Sequence, residues 1–303
     1  MATHSTSGID GIGLFAGVLA YLWWGLSPLF WSALAGIDAA DIVAHRVLWA
    51  LPFCALLLLW RGHLGRAVTA LRDRQQLGLL TASAAVVSIN WGLYIWAIGA
   101  GRVAEASLGY FMQPLVTVLI GFVFFRERLA PLQWLALGFA AAGVAVYAAG
   151  IGGLPLVAVG ISVSFAIYGA LRKFVAVDSV DGLFIETLLL GPLALGWILL
   201  HEGAGLGSRG TGTDLLLLAT GAFTAIPLIA FVSAARRLAL GTLGVLFYIN
   251  PACQFLLAVF WFGEPVHPSD VIAFALVWAG VLLYLIALAQ QLRRLRRVGG
   301  VAA

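Results

Sequence analysis

An internal repeat built around proline, glycine and glutamate restricts this chain more than any other feature. Residues 109–147 read GYFMQPLVTVLIGFVFFRERLAPLQWLALGFAAAGVAVY, and residues 246–284 read LFYINPACQFLLAVFWFGEPVHPSDVIAFALVWAGVLLY. At one constant offset Pro114 matches Pro251, Phe125 matches Phe262 and Glu127 matches Glu264. Pro131 matches Pro268, Gly143 matches Gly280 and Tyr147 matches Tyr284. The amides Gln113 and Asn250 each precede the first proline of their copy. In a chain rich in Ala and Leu, chance matches would fall on those residues instead. Each copy is a hydrophobic run, a charged turn and a second hydrophobic run, so the chain carries a duplicated helical unit.

The solvent of that unit follows from the charge content. Of 303 residues, 62% are hydrophobic and 10% charged, against about a quarter charged in soluble domains. Too little charge remains to cover a water-facing surface, which makes lipid the solvent. The sequence therefore predicts an all-α integral membrane protein of ten transmembrane helices. In the first half they span residues 11–32, 40–60, 76–98, 103–125 and 131–150. In the second they span 154–174, 182–201, 213–233, 241–262 and 268–290. Gly191, Pro192 and Gly221 interrupt the seventh and eighth. The domains are two five-helix units, 1–150 and 151–303, the second ending in a basic tail. MATHSTSGID has no Lys or Arg, so the first apolar segment reads as a retained helix rather than a signal peptide.

Positive charge fixes the expected orientation. With the N-terminus inside, the inner loops hold Arg61, Arg66, Arg72, Arg74, Arg126, Arg128, Arg172, Lys173, Arg236 and Arg237. The inner tail holds Arg293, Arg294, Arg296 and Arg297; only Arg102 and Arg209 fall outside, and Arg46 lies within the second helix. This follows the positive-inside rule and places both termini in the cytoplasm. It also accounts for the net charge of +4 without nucleic acid. The LRRLRR tail reads as a retention anchor with affinity for anionic lipid. An odd number of helices per half makes the second half enter from the opposite side, a 5+5 inverted repeat. The first helices of each half echo one another more weakly: Trp24-Gly25 resembles Tyr168-Gly169, Asp38 and Asp41 align with Asp178 and Asp181, and Arg46 aligns with Glu186.

These phrases resemble the EamA branch of the drug/metabolite transporter superfamily and, within it, the RarD-type permeases. The resemblance covers nearly the whole chain. It is carried by the repeated helix pair, YLWWGLSPLFW at 21–31, HRVLWALPF at 45–53, INWGLYIWAI at 89–98, AEASLGYFMQPL at 104–115 and LGVLFYINP at 243–251. One departure is Arg126, where a glycine commonly precedes the repeat glutamate; Gly263 keeps it. The resemblance implies ten helices, a central cavity and export of small molecules across the inner membrane.

A polar group in hydrocarbon must find a partner or a water-filled cavity. His45 and Arg46 lie early in helix two and Glu186 at the equivalent depth of helix seven. Either Arg46 and Glu186 line a cavity, one for an anionic group and one for a cation or proton, or both snorkel to headgroups. Asn90, Trp91 and Tyr94 share a face of helix three; Tyr110 and Gln113 share a face of helix four; Tyr248 and Asn250 lie at a similar level of helix nine. With Trp24 they fit the apolar wall and few placed polar groups of a ligand cavity. Pro114 and Pro251 remove helical hydrogen bonds and are candidate hinges. Pro131 and Pro268 suit helix starts, and Glu127 and Glu264 suit caps of those same helices.

There is no nucleophile elbow, no HExxH, no Walker lysine and no DDxxD pair. The expectation is a secondary permease, not an enzyme, with no cofactor or metal. Its expected partners are a small-molecule substrate, the lipid bilayer and a candidate coupling proton. Two other readings stay open: a membrane-embedded enzyme on lipid-linked substrates, and a non-transporting scaffold or sensor.

Overall fold

The structure is a computed structural model that describes residues 11–125, 129–172, 174–177, 179–235, 237–238 and 246–299. Among these residues every regular element is a helix. The first half contains α1 (Gly11–Gly25), α2 (Ser27–Ser32), α3 (Ala39–Arg61), α4 (Leu64–Arg72), α5 (Arg74–Gly99), α6 (Val103–Phe125) and α7 (Pro131–Ile151). The second contains α8 (Leu156–Arg172), α9 (Ser179–Leu200), α10 (Thr211–Ala235), α11 (Ile249–Phe260) and α12 (Pro268–Gly299). Among the described residues, eight helical stretches are long and apolar enough to cross a membrane, counting α1 and α2 as one; α8 and α11 are shorter apolar helices. The 17 residues of α8 reach about 26 Å at 1.5 Å per residue, close to the roughly 30 Å hydrocarbon core. The described part of α11 covers 12 residues, and residues 239–245 of the expected ninth helix lie outside the described residues.

Local chemistry sets the boundaries. Asp38 accepts from the Ala40 N–H at the start of α3, and Asp73 accepts from Gln75 and Gln76 at the start of α5. Pro131 and Pro268 are the first residues of α7 and α12, where a missing donor costs nothing. The break between α1 and α2 falls at Leu26, next to Pro28, which cannot donate to the carbonyl of Trp24. By contrast, Pro52, Pro114, Pro192 and Pro227 sit inside continuous helices. Gly191, Pro192 and Gly221 therefore do not interrupt the seventh and eighth spans.

The halves interlock. The most extensive helix contact is α7 with α12, followed by α6 with α8, α3 with α9, α3 with α10, α1 with α10 and α5 with α8. Two matched glycines make the first. A Cβ on Gly143 would stand 2.8 Å from the Ala273 carbonyl and 2.8 Å from Val277; a Cβ on Gly280 would stand 2.7 Å from the Ala136 carbonyl and 3.4 Å from the Ala140 nitrogen. Moving up one helix moves down the other, so α7 and α12 cross antiparallel with backbones in contact, the small-residue packing used in bilayers.

Three expectations change. The basic loop after α3 holds a helix, α4, whose Leu64 and Leu71 pack against Val180 and Leu183 of α9, while Arg66 and Arg72 stay exposed. Glu264 caps the wrong helix for the sequence expectation: its carboxylate accepts from the Val103 and Ala104 N–H groups at 2.6 and 2.8 Å, the start of α6 rather than of α12. Burial raises this carboxyl above the usual carboxylate range, and the two N–H groups oppose that shift. At α12 Asp270 instead accepts from the His267 N–H. Pro251 lies in the first turn of α11, whereas Pro114 lies mid-helix, so the two matched prolines occupy different local positions. Arg126, Glu127, Arg128, Lys173, Asp178 and Arg236 lie outside the described residues.

Candidate substrate cavity

A cavity of about 350 Å³ opens where α1, α2, α3, α5, α6, α8, α9, α10 and α11 converge. The seam helices α7 and α12 contribute nothing to its described lining. Of the residues singled out in the sequence, Trp24, Arg46, Asn90, Trp91, Tyr94, Tyr110, Gln113 and Asn250 line it. His45, Glu186 and Tyr248 do not. The sequence reading missed Tyr21, Ser27, Trp31, Tyr168, Thr224 and Gln254, together with the rings of Phe165, Phe223, Phe231 and Phe247. Some signals were present: Tyr168 is the weak-repeat counterpart of Trp24, and Gln254 follows Asn250 by one helical turn.

The wall is aromatic and cross-braced. Tyr21 meets Trp24, Phe231 and Phe247 edge-on with centroids 5.7–6.1 Å apart, and Tyr94 meets Tyr110 at 5.5 Å. The Tyr94 and Ser27 hydroxyls share a 2.8 Å hydrogen bond. Asn90 spends its Nδ2 on α8, donating to the Ile161 carbonyl and Ser164 Oγ, so it fastens α5 to α8. Asn250 accepts from Gln254 Nε2 at 2.7 Å.

Proline supplies two further braces. Pro227 leaves the Phe223 carbonyl without its helical donor, and the Trp23 indole donates to that oxygen at 3.1 Å. Pro28 does the same for the Trp24 carbonyl, which Gln254 Nε2 approaches at 3.5 Å. Both links join α1 to the second half.

Arg46 is the charged member of the wall. Its guanidinium lies 4.0 Å from the Trp91 ring centroid and 5.2 Å from that of Trp31, and Nε donates to Thr224 Oγ1 at 3.0 Å. Cation–π contacts contribute about 0.5–2 kcal/mol, below the roughly 2.5–3.5 kcal/mol that an intramembrane Arg costs on insertion scales. Gly221 brings α10 close enough for the Thr224 contact, since a Cβ there would collide with the Trp49 carbonyl.

Glu186 is organised differently and does not pair with Arg46. It is fully buried, accepts from Ser83 Oγ at 2.6 Å and from Tyr168 Oη at 3.2 Å, and lies 3.5 Å from Arg172. Tyr168 stands between it and the cavity. The neighbouring helices α5 and α8 supply its close partners, so it neither snorkels nor lines the cavity directly.

His45 accepts at Nδ1 from the Trp49 indole (3.1 Å) and faces the Ala204 carbonyl with Nε2 (2.9 Å). An indole can only donate and a carbonyl only accept, so the ring is the neutral Nε2–H tautomer. Tyr248 is buried against Phe111 and Trp278. Among the described residues no group of three or more His, Cys, Asp or Glu stands together to hold a metal.

Apolar helices of membrane length around an aromatic cavity with a few placed polar groups point to a multi-pass membrane protein, with the cavity as its candidate site. Residues 11–149 and again 154–286 match the EamA-like transporter family. The chain is 42% identical over 274 residues to the protein RarD of Streptomyces exfoliatus, covering 89% of this chain and 87% of that one. It is 38% identical over 279 residues to an uncharacterized transporter of Vibrio cholerae, covering 90% and 91%. A solved crystal structure shares the fold with a TM-score of 0.59 at 24% identity, covering 95% of this chain and 99% of that one. The chain belongs to the EamA-like transporter family as a RarD-like permease.

Proposed function

We propose that this chain is a secondary permease of the bacterial inner membrane that exports small metabolites or drugs, amino-acid-like or aromatic compounds among them, by alternating access. The observation that carries the reading is the cavity: both halves build it, and it is lined by rings with a few polar groups. The units 1–150 and 151–303 form an inverted repeat of five spans each, with both termini cytoplasmic. Three findings support the inversion. The family matches the chain twice. The contacts of α1 with α10 and of α5 with α8 exchange when the halves are exchanged. The Gly143 and Gly280 contacts are reciprocal and antiparallel.

Pro114 and Pro251 then act as bending points near the cavity, with Gln113 and Asn250 beside them in its wall. A coupling proton would use Glu186, which touches the cavity wall through the Tyr168 hydroxyl. The test is flux of labelled compounds in sealed proteoliposomes with and without a proton gradient. Movement faster than in empty vesicles supports the permease. No acceleration across a broad panel rejects it. Product formation in detergent would favour an enzyme, and movement no faster than in empty vesicles, the same in Arg46→Ala and Glu186→Ala, a passive scaffold.

A further inference from the structure

Three buried carboxylates near the bundle have cationic neighbours: Asp41 with Arg209, Glu105 with Arg102 and Glu186 with Arg172. Among the described residues Arg46 has no carboxylate beside it. Among the described residues that line the cavity it is the sole charged side chain. Its one hydrogen bond to a described residue uses Nε, and Trp31 and Trp91 meet it through their ring faces rather than through a hydrogen-bond acceptor. The in-plane donors on Nη1 and Nη2 therefore remain, and two parallel N–H groups are the geometry that a carboxylate fills. The rest of the lining is apolar or neutral: the Tyr21, Trp24, Phe231 and Phe247 rings, and the amides Gln113 and Gln254, whose Oε1 atoms are buried without a partner among the described residues. Those oxygens accept hydrogen bonds from an N–H or O–H group.

We propose that Arg46 makes the cavity selective for singly charged organic anions, carboxylates with a compact aromatic or apolar body, over the matching amines, amides and zwitterions. The inference rests on the permease reading and narrows its substrate class, keeping the aromatic carboxylates and setting aside zwitterionic amino acids. The cavity supplies one positive charge to balance one negative charge. An ammonium group would meet no carboxylate in the described wall and would be repelled by Arg46.

The test is binding to detergent-solubilised protein, which requires no transport. Two matched series serve as probes. One is 3-phenylpropionate, 3-phenylpropionamide, 3-phenylpropylamine and phenylalanine; the other is the corresponding indole series ending in tryptophan. The carboxylate is expected to bind most tightly in each series, and Arg46→Gln to weaken it by about tenfold or more while leaving the amide unchanged. Arg46→Lys should keep part of the preference, because it keeps charge but not the planar fork. Size-exclusion profiles check folding, and the series on the unaltered protein decides if Arg46→Gln does not fold.

The proposal is overturned if an amide, amine or amino acid binds as tightly as its carboxylate, if Arg46→Gln retains the preference, or if neither carboxylate binds. Arg46-dependent carboxylate binding without flux in proteoliposomes would reject the permease and keep the anion site. Flux indifferent to substrate charge and to Arg46 would do the reverse.

Discussion

Arg46 and Glu186 hold matched places in the two halves, each early in a long helix, yet they have opposite surroundings. Glu186 is enclosed by Ser83, Tyr168 and Arg172. Arg46 faces the cavity with two indole rings and one hydroxyl. A satisfied buried charge holds neighbouring helices in place, whereas a cation without a counterion is available for a ligand. On the proposed reading, the same repeat position would thus serve cohesion in one half and recognition in the other.

The sharpest way to break this comparison is Glu186→Ala. Removing one partner of a buried ion pair costs about 3–5 kcal/mol, and thermal unfolding in detergent should register that loss. A loss under about 1 kcal/mol would place Glu186 in the same class as Arg46. The double variant Glu186→Leu with Arg172→Met should recover part of the stability, because no charge is then stranded. Next comes Gly221→Ala, which pushes α10 off the Trp49 carbonyl. It should cost about 1–3 kcal/mol and, by separating Thr224 from Arg46, weaken substrate binding too. Trp23→Phe removes the indole donor to the Phe223 carbonyl and should cost about 1 kcal/mol. Arg46→Gln should have the smallest effect on stability, within about 1 kcal/mol, because the lost cation–π contacts are offset by relief of an unpaired charge. A large drop in unfolding temperature for Arg46→Gln would show that it, too, is cohesive.

Much of the architecture was legible because Pro, Gly and Asp mark it. Pro131 and Pro268 begin the helices they were expected to begin, and Gly143 and Gly280 each lie against the facing helix of the seam. The eight cavity residues that were found are aromatics, amides and one arginine within apolar spans, where a polar group needs a reason to be present. The misses have physical causes. These helices are apolar on all sides, so their sequences give little sign of which face meets the cavity and which meets lipid. Phe231 and Phe247 therefore read like any lipid-facing ring. Thr224 and Ser27 look like small packing residues until their partners are known. Glu264 reads as a cap for the helix that follows it in sequence, and only the tertiary fold brings the start of α6 within its reach.

At Gly143 and Gly280 the facing backbones touch with no side chain of the glycines between them, while Tyr147 of α7 packs with Phe274, Val277 and Val281 of α12. The two glycines thus give the seam its closest approach and leave its grip to the larger side chains. The seam lies apart from the described cavity lining, so under the proposed alternating access it would keep the halves together while the remaining helices re-angle, as a bearing holds a shaft.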